Sequence, residues 1–535
     1  MDGGSFPSAE PRPRAGPARA QARAPVVVIG AGVGGLAAAY ALAARGVEVT
    51  VLEAAATPGG KMRSVPSAAG PVDAGPTVLT MKRVFEELFE EGGESLSDHV
   101  TLIAEEVLAR HWWPDGGALD LFADPERSEA AVRDFAGDRE AAAFAAFSAD
   151  ARRLFETFEG PVMRAARPSF AGLTAEVMRR PALIPALAPH LTLARGLAKR
   201  FGDPRLRQLF GRYATYVGGS PYEAPAVLGL IWHAEASGVW RVKGGMRALA
   251  RALADAAAAK GARFEYGARV DRIETEGGRA TAAIVEDGRR FPAEAILFNG
   301  DPAALRRGLL GDPARAATDD AGVAPRSLSA YVWSFAAEPA AAEAGARPDL
   351  VHHNVFFGRV PRAEFDALKA GRMPEDATLY VCAEDRGAGA APVGEERFEI
   401  IMNGPPTTVA APASQDEDEE RKTCRTSTFE TLARFGLAFA PPPGIEALTT
   451  PSDFARLFPG SAGSLYGRSP HGLTATFRRP TARTAVAGLY LAGGGAHPGA
   501  GVPMAALSGR RAAEAIFTDL ASTSRSRRTA TPGGM

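Results

Sequence analysis

The chain has 535 residues, 46% of them hydrophobic and 23% charged, enough for two or three domains around a large core. Its formal net charge of −1 gives no electrostatic case for nucleic-acid binding. Only two cysteines occur, Cys382 and Cys424, far apart and without a CxxC or Cys/His cluster, which argues against a disulfide framework or a zinc site. His352 and His353 are adjacent, so a strand would send them to opposite faces, and no metal site is expected. Residues 1–24, rich in Pro, Ala, Arg and Gly, lack the apolar core of a signal peptide. No run of ~18 uncharged apolar residues follows, so a cytoplasmic chain, soluble or peripheral, is expected. Residues 1–24 and 521–535 are expected to be disordered.

The first element is a β-branched strand from Val26 to Gly30, followed by a helix from Leu36 to Ala44 and a second strand from Val47 to Leu52. The turn between them spells Gly30-x-Gly32-x-Gly34-Gly35, a dinucleotide fingerprint. Gly30 allows the turn, Gly32 admits a pyrophosphate to the backbone, and Gly35 lets helix and strand pack closely. Phosphates would sit at the helix N-terminus. Glu53 closes the second strand, where a carboxylate accepts ribose hydroxyls and repels a 2′-phosphate; FAD or NAD is favoured over NADP. Next come Pro58-Gly59-Gly60-Lys61-Met62-Arg63 and Asp73-Ala74-Gly75-Pro76-Thr77. Gly60, Lys61 and Arg63 could place backbone N–H groups and cations around the rest of the cofactor, although in isolation they read as a turn and solvated charges.

Residues 125–235 look mainly helical, with prolines at 161, 168, 181, 185, 189 and 204 as breaks. The part from Met178 to Phe210 mixes Leu and Ile with Arg179, Arg180, Arg195, Lys199, Arg200, Arg205 and Arg207. It suits an anionic bilayer surface as well as it suits an ordinary helical lid. Strands resume at Arg263–Tyr266, in a hairpin of Val270–Thr275 and Ala280–Val285, and at Ala295–Asn299. Residues 303–475 mix strands and loops, with an acidic run at Gln415–Glu420 expected to be a solvated loop. A last strand ends at Ala492, and a helix follows from about Met504 to Phe517. The expected fold is α/β: a discontinuous Rossmann-like FAD-binding domain (25–110, 236–302, 476–520), an α+β substrate domain (303–475) and a helical membrane-associating region (125–235).

The last strand leads into Gly493-Gly494-Gly495-Ala496-His497-Pro498-Gly499, ending at Val502-Pro503. With the Pro-Gly-Gly-Lys and Asp-x-Gly-Pro-Thr motifs, this stretch resembles the carotenoid desaturase family of FAD oxidoreductases, from Pro25 to about Thr518. Within the family the likeness is to the hydroxyneurosporene (1-hydroxycarotenoid 3,4-) desaturase branch. It is carried by Arg110-His-Trp-Trp-Pro-Asp-Gly, Arg212-Tyr-Ala-Thr-Tyr-Val-Gly-Gly, Leu350-Val-His-His-Asn-Val-Phe-Phe and Gly467-Arg-Ser-Pro-His-Gly. The resemblance implies FAD held by Gly30, Gly32, Gly34, Gly35, Glu53, Gly60, Lys61, Arg63, Gly494, Gly495, Val502 and Pro503, with the backbone of Val270 on the adenine. The acid that many relatives carry in the last glycine motif is missing here, which weakens Gly494 and Gly495 as ligands.

The same resemblance implies a long polyene with a tertiary hydroxyl at C1, desaturated at C3–C4 as in the hydroxyneurosporene to demethylspheroidene step of spheroidene biosynthesis. Hydride leaves the allylic C4 for the flavin, and C3 then loses a proton from a delocalised cation. A modest base suffices, in keeping with the absence of an evident Ser/His/Asp or paired-carboxylate constellation; His497 and His111 are the candidates. Trp112-Trp113, Tyr213–Tyr216, Trp232, Trp240, Val332–Phe335 and Val355–Phe357 suit a greasy tunnel, although each also reads as ordinary core. The implied partners are the polyene, an anionic surface of the cytoplasmic membrane, and quinone or oxygen as electron acceptor. A phytoene or neurosporene desaturase, a carotenoid isomerase, a flavin amine oxidase and a non-catalytic carotenoid binder are the alternatives.

Overall fold

A computed structural model describes residues 25–319, 325–343, 345–387, 392–407 and 417–529. Strand β1 (Val26–Ile29), helix α1 (Val33–Ala44) and strand β2 (Val49–Glu53) form where the sequence places them. The fully apolar β1 is buried on both faces at the centre of a five-stranded sheet. The order is Leu489–Leu491, Ala295–Phe298, β1, β2 and Arg263–Tyr266, all parallel. Parallel sheets are covered on both sides, which explains the apolar strands. Helix α1 is apolar nearly all round because it lies between this sheet and two other helices, Met246–Ala259 and Val502–Thr529. A Cβ on Gly509 of the last helix would come within 2.0 Å of Gly34 O, so the two backbones touch. Three distant pieces of chain thus build one dinucleotide-type layer.

The expected hairpin forms as Val270–Glu276 and Arg279–Val285, with Arg290–Pro292 as a third strand. An eight-stranded sheet makes the second body. It contains Ser329–Ala341, Glu396–Gly404, Leu379–Ala383 and His353–Phe356. Strands Val107–Trp112 and Ala118–Phe122 also belong to it, joined through the parallel pairing of Val355 with His111. The first cofactor-binding segment therefore ends before Val107, and not at residue 110. One face of this sheet packs on helix Glu417–Arg434, while the other carries Val355 and Phe357 into the core of the helical region.

The stretch 125–235 is mainly helical, and its prolines fall where helices begin or break. Asp124, Asp203 and Asp301 each precede a proline, and each accepts N–H groups as the N-cap of a helix. Two expectations need correction. Glu417–Glu420 open a helix instead of lying in a loop, where four acids complement the helix dipole and Glu420 accepts a 2.6 Å hydrogen bond from Tyr331; Gln415 and Asp416 lie outside the described residues. The closing helix runs from Val502 to Thr529, so the expected disordered tail is helical as far as Thr529. The N-terminal 24 residues also lie outside the described residues. Among the described residues, no helix is long and apolar enough to cross a membrane.

Candidate active site

The glycines of the fingerprint meet at the end of β1. Gly30 turns the chain with φ +98°, and its N–H donates to Leu52 O at 2.8 Å. A Cβ on Gly35 would stand 2.1 Å from Gly30 O, and one on Gly34 would stand 2.6 Å from Asn299 Oδ1. Helix α1 starts at Gly32 without a capping side chain and without an acid in its first turn. Its leading N–H groups therefore remain free for an anion. Gly59 N–H donates to Ala31 O at 2.9 Å, and Gly60 sits so close that a Cβ there would be 3.1 Å from Gly32 Cα. Glu53 Oε2 accepts from Ala31 N at 2.6 Å and Oε1 from Ala55 N at 2.8 Å, which fixes the carboxylate beside the turn. Ala268 N–H donates to Glu53 O at 2.8 Å, which brings the strand beginning at Val270 to the same edge.

The C-terminal motif closes the cradle. Gly493 (φ +100°) faces Gly34, and a Cβ on it would lie 2.8 Å from Asn299 Oδ1. A Cβ on Gly494 would meet nothing nearer than 3.8 Å, so Gly493, and not Gly494, is the glycine that close approach requires. Gly495 packs on Pro302. Val502 and Pro503 begin the last helix, again with no acid in its first turn. The uncapped start of α1, a second helix start without an acid in its first turn, and a shell of glycines fit a dinucleotide with its pyrophosphate and ring.

Lys61 and Arg63 are held and not solvated. Lys61 Nζ donates to Leu465 O and lies over Phe458; burial lowers its pKa to about 8 against the pull of Asp301. Arg63 Nη2 donates to Thr449 Oγ1 at 2.6 Å, while its Nε is buried with no hydrogen-bond partner among the described residues.

His497 and His111 are not brought together. His497 Nε2 donates to Ala165 O at 2.8 Å, which leaves Nδ1 as a buried lone pair without a partner among the described residues. His111 lies beside the stacked pair Trp113 and Phe357, its ring 6.3 and 6.0 Å from theirs, and its Nδ1 donates to Leu119 O at 3.1 Å. Burial and the charge of Arg212 push its pKa down to about 3. His111 is therefore a neutral hydrogen-bond acceptor at ordinary pH and a poor proton acceptor.

The histidine pair departs from expectation. His352 precedes the strand that starts at His353, so alternation does not separate the two, and their rings lie 4.5 Å apart. With Cys382 they place three potential donor atoms within 4.8 Å of one another, a set whose chemistry suits a soft cation. Carboxylates are also grouped. Asp73, Glu384 and Glu399 are buried as neighbours, and burial raises all three: Asp73 to about 6, Glu384 to about 8, and Glu399 well above the usual range.

Comparisons with known proteins agree with this geometry. The sequence profile of the flavin containing amine oxidoreductase family matches residues 33–329 and 407–517. Hydroxyneurosporene desaturase of Cereibacter sphaeroides is 58% identical over 500 residues, 94% of this chain and 99% of that one. The protein of the same name from Rhodobacter capsulatus is 54% identical over 495 residues, 92% and 98% of the two chains. The chain belongs to the flavin-containing amine oxidoreductases, in their carotenoid-desaturase branch. FAD is its cofactor. A putrescine oxidase structure matches with a TM-score of 0.58 at 15% identity, over 93% of this chain and 99% of that one, and shares the fold.

Seen as a carotenoid desaturase, the chain has three features that sequence reasoning missed. Asn299 ties the cradle together, its Nδ2 donating to Gly30 O at 3.1 Å and to Gly32 O at 3.3 Å. The signal was a polar residue ending an apolar strand. Glu399 interrupts the apolar run Phe398-Glu399-Ile400-Ile401, a sign of a carboxylate facing the interior. Glu235 lies in helix Ile231–Ala236 and is 3% exposed; nothing in its local sequence sets it apart.

Proposed function

We propose that the protein desaturates 1-hydroxycarotenoids at C3–C4, the hydroxyneurosporene to demethylspheroidene type of reaction in spheroidene biosynthesis. Full-length identity of 58% and 54% to two hydroxyneurosporene desaturases carries this reading. Bound FAD supplies the acceptor for the C4 hydride. The uncapped start of α1 and Gly32 hold the pyrophosphate, Glu53 the ribose, the backbone at Val270 the adenine, and the N-terminus at Val502-Pro503 the ring edge. Gly60, Lys61, Arg63, Gly494 and Gly495 complete the enclosure. Trp113, Phe357, Phe210, Tyr213 and Trp232 form one buried cluster that keeps the polyene side dry. Proton loss from C3 needs only a weak acceptor, and His497, in the motif that closes the cradle, offers the unpartnered Nδ1 among the described residues.

The membrane enters as source of the substrate. Phe170, Met178 and Ile184 stand 51%, 66% and 42% exposed beside Arg179 and Arg180, two guanidinium groups that share the single carboxylate of Glu176. Nearby, Phe477 packs edge-on against Phe170 at 5.5 Å and lines a cleft of about 650 Å³ that also holds Arg167, Arg306, Arg468 and Arg478. Apolar side chains flanked by guanidinium groups suit an anionic bilayer surface. Quinone or oxygen would reoxidise the flavin.

The test is incubation of FAD-loaded protein with 1-hydroxyneurosporene and with neurosporene. Each added conjugated bond moves the absorption bands to longer wavelength. A red shift with the hydroxylated polyene is expected; no shift with it, under conditions where the flavin is retained, overturns the reading.

A further inference from the structure

A buried polar network lies between the helical region and the large sheet, and the cofactor cradle does not use it. Tyr213 Oη donates to Glu235 Oε1 at 2.8 Å, and Tyr216 Oη donates to the other carboxylate oxygen. Arg212 Nη1 donates to Tyr216 Oη at 3.1 Å. Glu235 is thereby satisfied, whereas Arg212 is not. Its Nε has no hydrogen-bond partner among the described residues, and its Nη2 reaches only Glu235, at 3.9 Å. Arg212 keeps 11% of its side chain accessible, while Nε and Nη2 themselves are buried.

Two imidazoles from the sheet complete the picture. His111 Nε2 and His353 Nε2 are both buried without a partner among the described residues. They lie on the same sheet face, since His111 pairs with Val355, two positions along from His353. Tyr213, next in the chain to Arg212, packs in one core cluster with Trp113 and Phe357, the two rings beside His111, and the Arg212 charge acts on both imidazoles. His111 Nδ1 carries the proton given to Leu119 O, so its Nε2 is a lone pair.

Idle buried donors and acceptors are costly and normally find partners. A pure hydrocarbon cannot satisfy them. An alcohol can, because its oxygen accepts from a guanidinium while its O–H donates to an imidazole lone pair. We propose that Arg212 and His111, with His353 beside them, form the subsite that receives the tertiary hydroxyl of the polyene. The proposal rests on the function proposed above and adds the residues that read the hydroxyl.

Position supports it. Tyr380 Oη bonds His353 Nδ1 at 2.6 Å and Thr77 Oγ1 at 2.7 Å. Thr77 ends the Asp73–Thr77 motif, whose Gly75 packs so tightly on Lys61 that a Cβ would stand 1.9 Å from Lys61 O. Lys61 follows Gly60 of the cradle. The network is therefore linked, through Tyr380, to the Asp73–Thr77 motif that packs on the cradle at Lys61. The oxygen on C1 is about 5 Å from C4 at carbon–carbon bonds near 1.5 Å. A hydroxyl anchored here acts as a stop that sets which bond lies against the flavin. A site built to bond a hydroxyl also rejects the analogue that lacks it.

The experiment measures kcat/KM of the FAD-loaded enzyme on 1-hydroxyneurosporene, on its 1-methoxy ether and on neurosporene. The wild type is expected to prefer the alcohol to the ether at least tenfold, because the ether keeps the acceptor oxygen and loses the donor. In His111→Phe and Arg212→Met, the ratio of alcohol to neurosporene is expected to fall at least tenfold. The wild-type alcohol-to-ether ratio needs no variant, so it stands even where a substitution lowers flavin content. Turnover of the alcohol with equal rates on the ether, or variants that lose both substrates in proportion, overturns the subsite and leaves the function standing. No turnover of the alcohol by the flavin-loaded wild type overturns the function, and the subsite with it.

Discussion

Two glycines of the fingerprint, three positions apart, do different work. Gly35 is a packing glycine: its Cβ would collide with Gly30 O at 2.1 Å, and neither backbone can yield without moving strand or helix. Gly32 is an approach glycine: its Cβ would meet the Asn299 Nδ2 at 3.1 Å and Gly60 Cα at an ordinary 4.0 Å, and its φ of −73° suits any residue. Gly35→Ala is expected to destabilise the protein with or without FAD, by roughly 1–3 kcal/mol for overpacking. Gly32→Ala is expected to leave the melting temperature of the flavin-free protein within a degree or two while cutting FAD content severalfold. Thermal melts of both forms, read beside the flavin absorbance, separate the two roles; equal behaviour of the two variants would refute the distinction. The motif announced both glycines, but only the structure sorts them. Asn299, 264 positions beyond Gly35, was invisible as a partner because nothing in one sequence reports a contact across that separation.

At the scale of elements, the basic helical stretch shows where sequence reading succeeds and where it stops. Helices and their proline breaks were legible between residues 125 and 235, since capping and φ restriction are local effects. Which charges stay free was not. Arg200 pairs with Asp150 at 2.6 Å, Arg205 with Asp203 at 2.7 Å, and Arg207 is spent on the carbonyls of Phe201 and Gly202. The exposed apolar side chains lie nearer the N-terminus, on helix Phe170–Arg179 and at the start of helix Ile184–Leu187, and the docking face proposed above is placed there. Phe170→Ser with Met178→Ser and Ile184→Ser is expected to lower co-sedimentation with anionic vesicles more than removal of Arg195, Lys199 and Arg200. The apolar set should act at high salt as well, because it does not depend on charge. Equal binding of the triple serine variant and the wild type would discard this docking face.

At the scale of the whole molecule, the cofactor layer and the large sheet meet across buried carboxylates. The alternating β/α order revealed the first body from three separate stretches of chain. It did not reveal that Val107–Phe122 crosses into the second, because strand partners are chosen by tertiary packing and not by local pattern. The junction follows from that crossing. Asp73 caps the start of helix Met246–Ala259 by accepting from Met246 N at 2.8 Å, and Asp73 N–H donates to Glu384 Oε1 at 2.7 Å on the sheet side. Glu384 is displaced upward to about 8, first by burial and then by the Asp73 carboxylate, with Arg397 opposing. A carboxyl whose pKa rises from 4.5 on folding holds its proton longer in the native state, so its stabilising share is complete below pH 4.5 and is lost as pH climbs through 8. Asp73 adds the same sign over a lower window, from 3.8 to about 6. The unfolding free energy should therefore decline between pH 6 and 8, with a slope approaching 1.4 kcal/mol per pH unit for one group. Glu384→Gln keeps the carbonyl oxygen that accepts from Asp73 N and cannot ionise. Denaturant melts at pH 6, 7 and 8 are expected to show that decline in the wild type and a flatter line in the variant. Parallel lines for the two proteins would mean that the junction stays neutral for another reason and that Glu384 does not govern it.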